Sequence, residues 1–115
     1  MSATSFTVDR RDIDFVLHEQ LELTTSLKPY PRFQDFDRSL YDSLLDEAQK
    51  LAIEVTAPIN REGDRVGASF DGKGNVTAPP GMKDAWNQLV AGGWLGVTAP
   101  AEWGGTAMPR ASAWP

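Results

Sequence analysis

Cysteine is absent from the 115-residue sequence. This absence excludes disulfides, thiolate nucleophiles and thiolate metal sites, and it fits a reducing compartment. No apolar run approaches the roughly 20 residues that a membrane-crossing helix needs. Residues 1–6 are polar and lack the basic and apolar regions of a signal peptide. We therefore expect a cytoplasmic protein with no membrane partner.

Positive charge is scarce as well. The chain has 11 Lys and Arg residues against 16 Asp and Glu residues, a net charge of -5. Nucleic-acid binding depends mainly on neutralising phosphates with Lys and Arg, which here are scattered along the chain. We therefore expect no nucleic-acid partner. The length suits one domain.

Apolar spacing predicts a mainly all-α fold with three helices. The first covers residues 12–22, with Asp12 as its N-cap. The second covers residues 38–55, with Asp37 as its cap and Pro58 as its end. The third covers residues 81–91 and stops at a glycine pair. Their predicted apolar faces are Ile13, Val16, Leu17 and Leu21; Leu40, Leu44, Leu45, Ala48, Leu51, Ala52 and Val55; and Met82, Trp86, Leu89 and Val90.

The segments between these helices are rich in proline and glycine. Residues 27–33 should be irregular because Pro29 and Pro31 disfavour helix. Residues 60–80 predict a long loop, and its Asp71-Gly72 turn signal predicts a short hairpin near residues 69–77. Residues 94–115 lack periodicity, so we expect at most one helical turn there, near Arg110.

The sequence contains no complete catalytic or metal motif. His18 is the only histidine, and without a nucleophile and an orienting group it forms no triad; we expect an ordinary surface or boundary residue. Two Asp-x-Asp pairs resemble the start of a calcium loop but lack its glycine and glutamate. These pairs are Asp12 with Asp14 and Asp35 with Asp37. We predict no catalytic residue and no metal site.

Two glycine clusters resemble phosphate-binding loops only superficially. Gly72-Lys73-Gly74 lacks the longer frame of a P-loop, so a plain turn is expected. Gly92, Gly93 and Gly96 follow a helix, whereas the dinucleotide fingerprint follows a strand.

Tryptophan is frequent for so short a chain, with Trp86, Trp94, Trp103 and Trp114. Large aromatics usually supply core or interface area. A stacking platform for a base or a flavin ring is one alternative. Trp103 and Trp114 lie in the glycine-rich tail, where a small domain has little core to bury them. We therefore favour an interface with protein outside this chain.

Six short segments, taken in order, resemble the start of the acyl-CoA dehydrogenase family. The likeness is to its large bacterial branch with an extra N-terminal segment, which includes enzymes acting on 3-methylmercaptopropionyl-CoA. The segments are residues 11–17 (RDIDFVL), 44–48 (LLDEA), 57–65 (APINREGDR), 80–83 (PGMK), 92–96 (GGWLG) and 99–105 (APAEWGG).

The resemblance implies an incomplete N-terminal helical domain at residues 12–105, an extension at residues 1–11, and a divergent or truncated tail at residues 106–115. It also implies an FAD-dependent flavoprotein of fatty acid metabolism whose full-length members oxidise acyl-CoA to the 2,3-enoyl form. The flavin-contacting strands and the catalytic glutamate of such enzymes lie in later domains. Glu102 falls in the loop motif and does not match that glutamate.

Departure from the family at the tail suggests a fragment. The family usually continues into a helix after Gly105, whereas this chain ends in Ser112-Ala113-Trp114-Pro115. We expect a chain that binds no FAD alone and is not catalytic by itself. We also expect it to associate with missing enzyme domains or with itself. The alternative is a stand-alone helical module that binds a protein partner.

Overall fold

The computed structural model describes residues 6–113; the start of the predicted extension and the predictions for Trp114 and Pro115 lie outside that range. The fold is mainly helical, as predicted. Helices α1 to α6 cover Arg10–Asp14, Leu23–Leu27, Arg38–Leu51, Ala57–Val66, Met82–Ala91 and Arg110–Ala113. Strands β1 and β2 cover Ser69–Phe70 and Val76–Thr77.

The first predicted helix begins earlier and ends differently. Its N-cap is Asp9 rather than Asp12, because the Asp9 carboxylate accepts from the backbone N–H groups of Arg11 and Asp12. After α1 the chain forms a π-helix over Phe15–Gln20, followed by the unpredicted α2. A π-turn has more residues than an α-turn, so the predicted apolar residues no longer share one face of the helix. Leu17 is buried, whereas Val16 and Leu21 are exposed.

The second helix has the predicted cap, since the N–H of Leu40 donates to Asp37 Oδ1 at 2.9 Å. The centre of its buried face differs from the prediction. Tyr41 is completely buried and Leu45 nearly so, while the predicted Leu40 is 41% exposed. The aromatic residue therefore replaces Leu40 in the core.

Pro58 does not end the helical path, and the predicted loop at residues 60–80 begins only after α4. The α-helix α3 is followed by a π-helix over Ala52–Thr56 and then by α4, with Pro58 in its first turn. A proline is tolerated in a first turn because the missing N–H is not needed there. Gly67, with φ of +69°, follows the helix.

The hairpin is present where the turn signal predicts it. Strands β1 and β2 pair antiparallel, with Ser69 opposite Thr77 and Phe70 opposite Val76. Asp71 Oδ1 accepts from the backbone N–H groups of Lys73 and Asn75. The Gly72-Lys73-Gly74 sequence therefore lies in a hairpin turn.

The third predicted helix is α5, which begins after Gly81 and ends before Gly92 and Gly93. Its predicted buried face is wrong for Met82, Trp86 and Val90, which are 40%, 54% and 50% exposed. The fourth predicted residue, Leu89, is partly buried, and only Ala85 is fully buried on this helix.

The chain divides into two compact units. One contains residues 6–7 and 49–94, and the other contains residues 8–48 and 95–113. The unit of residues 8–48 and 95–113 has a buried apolar cluster, which includes Met108 from the C-terminal part of the chain. The cluster consists of Leu17, Leu23, Tyr41, Leu45 and Met108.

The C-terminal part contains more turn structure than its sequence predicts. Short 3₁₀-helices cover Trp94–Gly96 and Ala101–Trp103, and the single predicted helical turn near Arg110 is α6. Backbone bonds run from the N–H of Ala107 to the oxygen of Ala99, and from the N–H of Met108 to that of Val97. These bonds place Met108 in the core.

Candidate functional site

A cluster of charged side chains joins the first helical segment to α3. Arg10 Nε lies 2.9 Å from Asp14 Oδ1, and Arg10 Nη1 lies 2.6 Å from Asp46 Oδ1. Arg10 Nη2 lies 3.7 Å from Asp42 Oδ1 and also donates to the Asp42 carbonyl oxygen. Partial burial works against the charge of Arg10, but the bonds to Asp14 and Asp46 outweigh it and raise the Arg10 pKa.

His18 also belongs to this cluster. Its Nε2 lies 2.9 Å from Asp42 Oδ1, and its side chain is only 5% exposed. Asp42 Oδ2 accepts from Arg38 Nε at 3.4 Å. His18 is at the boundary of the fold, but its ring has a specific partner that a single-histidine sequence cannot reveal.

Asp14, His18 and Asp42 are residue types that bind metals, and their ligand atoms lie within 4.8 Å of one another. Arg10 nevertheless contacts both carboxylates and supplies a cation to them. These contacts explain the cluster as an electrostatic link between helices. The other residues of the Asp-x-Asp pairs stand apart from it: Asp12 and Asp35 are exposed, and Asp37 caps α3.

A polar depression of about 350 Å³ lies beside this cluster, next to His18, Thr24 and Arg38. Two of its charged groups have partners within the same unit: Glu19 pairs with Arg11, and Arg38 pairs with Asp42. Glu22 forms part of its wall in a left-handed conformation, with φ of +46°. Glu19 and Arg38 are therefore already engaged within the protein.

The other unit contains an apolar groove of about 430 Å³ between α4 and α5. Its lining residues come from both helices and the segment between them: Thr56, Ile59, Asn60, Ala78, Met82, Lys83, Ala85, Trp86 and Leu89. Lys83 is the one charged residue among them. Such a surface suits an apolar partner with a single anionic group.

Trp103 projects from a tightly bonded loop. Gly96 O accepts from the N–H groups of Ala99 and Thr106, and Pro100 O accepts from those of Trp103 and Gly105. The Trp103 side chain is nevertheless 77% exposed. A large aromatic residue held outward by an ordered backbone is a typical anchor for an interface.

Neither the groove between α4 and α5 nor the hairpin turn fits FAD by itself. A flavin dinucleotide needs a slot for its ring and grouped donors for its diphosphate. The polar residues of the groove between α4 and α5 are only Thr56, Asn60 and Lys83, beside an apolar wall, and Gly72-Lys73-Gly74 forms a hairpin turn. Within residues 6–113, no helix is long and apolar enough to cross a membrane.

No protein-family model matches the chain. Over 100 residues, or 87% of its length, the chain is 31% identical to the 3-methylmercaptopropionyl-CoA dehydrogenase of Ruegeria pomeroyi. The chain spans only about 17% of the length of that relative. This similarity agrees with the resemblance that the sequence motifs indicate, and it extends over nearly the whole chain.

Proposed function

We propose that this chain is the N-terminal helical domain of an FAD-dependent acyl-CoA dehydrogenase and is not catalytic alone. The observation that carries the proposal is 31% identity over 100 residues to a 3-methylmercaptopropionyl-CoA dehydrogenase. The domain would cover residues 12–105, preceded by an extension at residues 1–11 and followed by a divergent tail at residues 106–115. The whole enzyme would be a cytoplasmic protein of fatty acid metabolism.

In this proposal, the complete enzyme oxidises an acyl-CoA thioester between its α and β carbons, and FAD accepts the electrons. More than four-fifths of the relative lies outside the matched segment. We assign flavin binding and catalysis to that remainder of the enzyme.

Exposed apolar side chains support a role as part of a larger protein. Trp103 is 77% exposed and Leu95 63% exposed in one unit, and Trp86 is 54% exposed in the other. Burying such apolar side chains against another protein surface is favourable. The role proposed for this chain is thus structural: it presents apolar surfaces to the rest of the enzyme.

A stand-alone module that binds a protein partner is the second candidate. The same exposed tryptophans favour it, because aromatic residues are common anchors of protein interfaces. It differs from the first candidate in predicting a separate product with no flavin.

The intact mass of the product from its native locus distinguishes these candidates. The proposed function predicts a polypeptide much heavier than 12.6 kDa that copurifies with a yellow flavin chromophore. A flavin-free product of 12.6 kDa would contradict a continuous dehydrogenase and favour the binding module.

A further inference from the structure

We infer that the groove between α4 and α5 is a docking site for an amphipathic helix from the remainder of the dehydrogenase, with a carboxylate of that helix facing Lys83. This inference rests on the proposed function. It goes further by assigning the contact to one surface and by stating the chemistry of its occupant.

The apolar face of α5 is largely exposed to solvent. A helix that packs onto its own domain normally buries its largest apolar residues. Here only the small Ala85 is buried, while Met82, Trp86 and Val90 are 40% to 54% exposed. The apolar face of α5 is therefore not satisfied within its own unit, and burying it in another surface would be favourable.

The groove is also formed in advance, because glycine permits close approach of its walls. A Cβ at Gly81 would lie 2.9 Å from Ile59 Cγ2, and Gly81 has φ of +80°. A Cβ at Gly63 would lie 3.7 Å from Met82 Cε. A groove held by such contacts needs little ordering when a partner binds, which lowers the entropic cost of docking.

The shape of the lining favours a helix as the occupant. Met82, Trp86 and Leu89 follow one another at the helical spacing of i, i+4 and i+7. The small Ala85 lies between them in the lining. Ridges of large residues beside a small one accept the side chains of a second helix. Helix-in-groove recognition uses the same spacing on the bound segment.

The charge of Lys83 and the small share of the relative that the chain covers indicate where that helix comes from. No carboxylate in residues 6–113 lies within 4 Å of the Lys83 ammonium, so Lys83 suits an acidic residue of a partner. A second copy would bring another net charge of -5, which disfavours self-association. The matched segment is 17% of the relative, which leaves most of that protein to supply the helix.

The test uses the full 115-residue chain with an affinity tag. It is co-expressed with the Ruegeria pomeroyi dehydrogenase from which the matched 100-residue segment is deleted. We expect a soluble one-to-one complex. Trp86→Ala should weaken it roughly tenfold or more, as expected for a central aromatic anchor, and Lys83→Glu should weaken it several-fold.

Matched controls lie on the hairpin, outside the groove. Phe70→Ala removes an aromatic side chain that is 66% exposed, and Lys73→Glu reverses a charge in the turn. Neither should change the affinity. All four variants are compared by circular dichroism, so that a loss of binding is read only for chains with unchanged helix content.

The possible results of this experiment distinguish an error in the groove assignment from an error in the proposed function. A complex with equal sensitivity to groove and hairpin variants would overturn the groove assignment and leave the proposed function standing. Failure of the folded chain to form any complex would count against the proposed function itself. A dimer of the isolated chain that Trp86→Ala abolishes would assign the groove to a second copy and overturn the inference.

Discussion

His18 Nε2 lies 2.9 Å from Asp42 Oδ1, although 24 positions separate the two residues. The other carboxylate oxygen of Asp42 accepts from Arg38, and Arg10 approaches from α1. Asp42 thus contacts Arg10, His18 and Arg38, which come from the first helical segment and α3. The contacts fix one face of α3 against that segment.

Replacing Arg10 tests whether this cluster stabilises the fold. Arg10→Met keeps the apolar stem but removes the cation that Asp14 and Asp46 share, so we expect a loss of about 1–2 kcal/mol in the free energy of unfolding. Asp46 is 72% exposed, so 1 M salt should reduce the loss. Urea unfolding measures both effects.

Arg65→Met provides the control for that experiment, because Arg65 pairs with Glu62 on the exposed surface of α4. Exposed pairs contribute little to stability. Equal effects of the two substitutions would contradict a special role for the Arg10 cluster.

Tyr41 combines complete burial with an unpaired hydroxyl. Its oxygen has no hydrogen-bond partner among the described residues, and burial raises the pKa of the phenol. Tyr41→Phe removes a buried polar group and keeps the ring, so unfolding free energy should stay equal or rise by up to about 1 kcal/mol. Tyr41→Ala should cost about 3–5 kcal/mol. A clear loss in the phenylalanine variant, measured in urea, would show that the hydroxyl has a stabilising partner.

Gly105 lies where a side chain has no room. A Cβ there would approach the carbonyl oxygen of Ala99 to 2.1 Å and that of Gly96 to 2.6 Å. Gly105→Ala must therefore open the loop that carries Trp103, and we expect a loss of several kcal/mol. Gly104→Ala is the matched control: its φ is +81° but its Cβ would meet nothing within 4 Å, so only about 1 kcal/mol of backbone strain is expected. Thermal melts that rank the two variants equally would contradict the loop geometry.

Asp71 gives the hairpin a defined dependence on pH. The Asn75 side-chain amide, followed by the backbone N–H groups of Lys73 and Asn75, lowers the pKa of Asp71. The stabilisation is thus present above about pH 4, the ordinary value of an unfolded aspartate, and is lost as pH falls through the lower folded pKa. NMR titration should show the Lys73 and Asn75 amide signals shifting at that lower pH. An Asp71 midpoint at or above the ordinary value would contradict the bonds described.

Local features were predictable from the sequence because their causes lie within a few residues. Asp37 caps the helix that follows it, Asp71 and Gly72 form the hairpin turn, and Gly93 follows the last residues of α5 in a left-handed conformation. Each depends on a side-chain oxygen or a glycine acting on its immediate neighbours.

Features that depend on tertiary packing were not predictable in the same way. Pro58 suggests a helix end, yet the preceding π-turn allows the path to continue into α4. Asp42 meets His18 only because two helices pack together. Trp86 lies on an apolar helix face, and the spacing of such a face is the same whether it is buried or exposed. Periodicity therefore could not show that the groove is open to solvent.

The proposal that this chain is the N-terminal helical domain of a dehydrogenase is tested most directly in a hybrid enzyme. In the hybrid, the corresponding segment of this chain replaces the matched 100 residues of the Ruegeria pomeroyi dehydrogenase. The hybrid is assayed for bound FAD and for oxidation of 3-methylmercaptopropionyl-CoA, beside the same enzyme with the segment deleted. If the chain is the N-terminal helical domain of such an enzyme, the hybrid binds flavin and oxidises the thioester, while the deletion does neither. A soluble, folded hybrid that lacks flavin and activity would contradict the account.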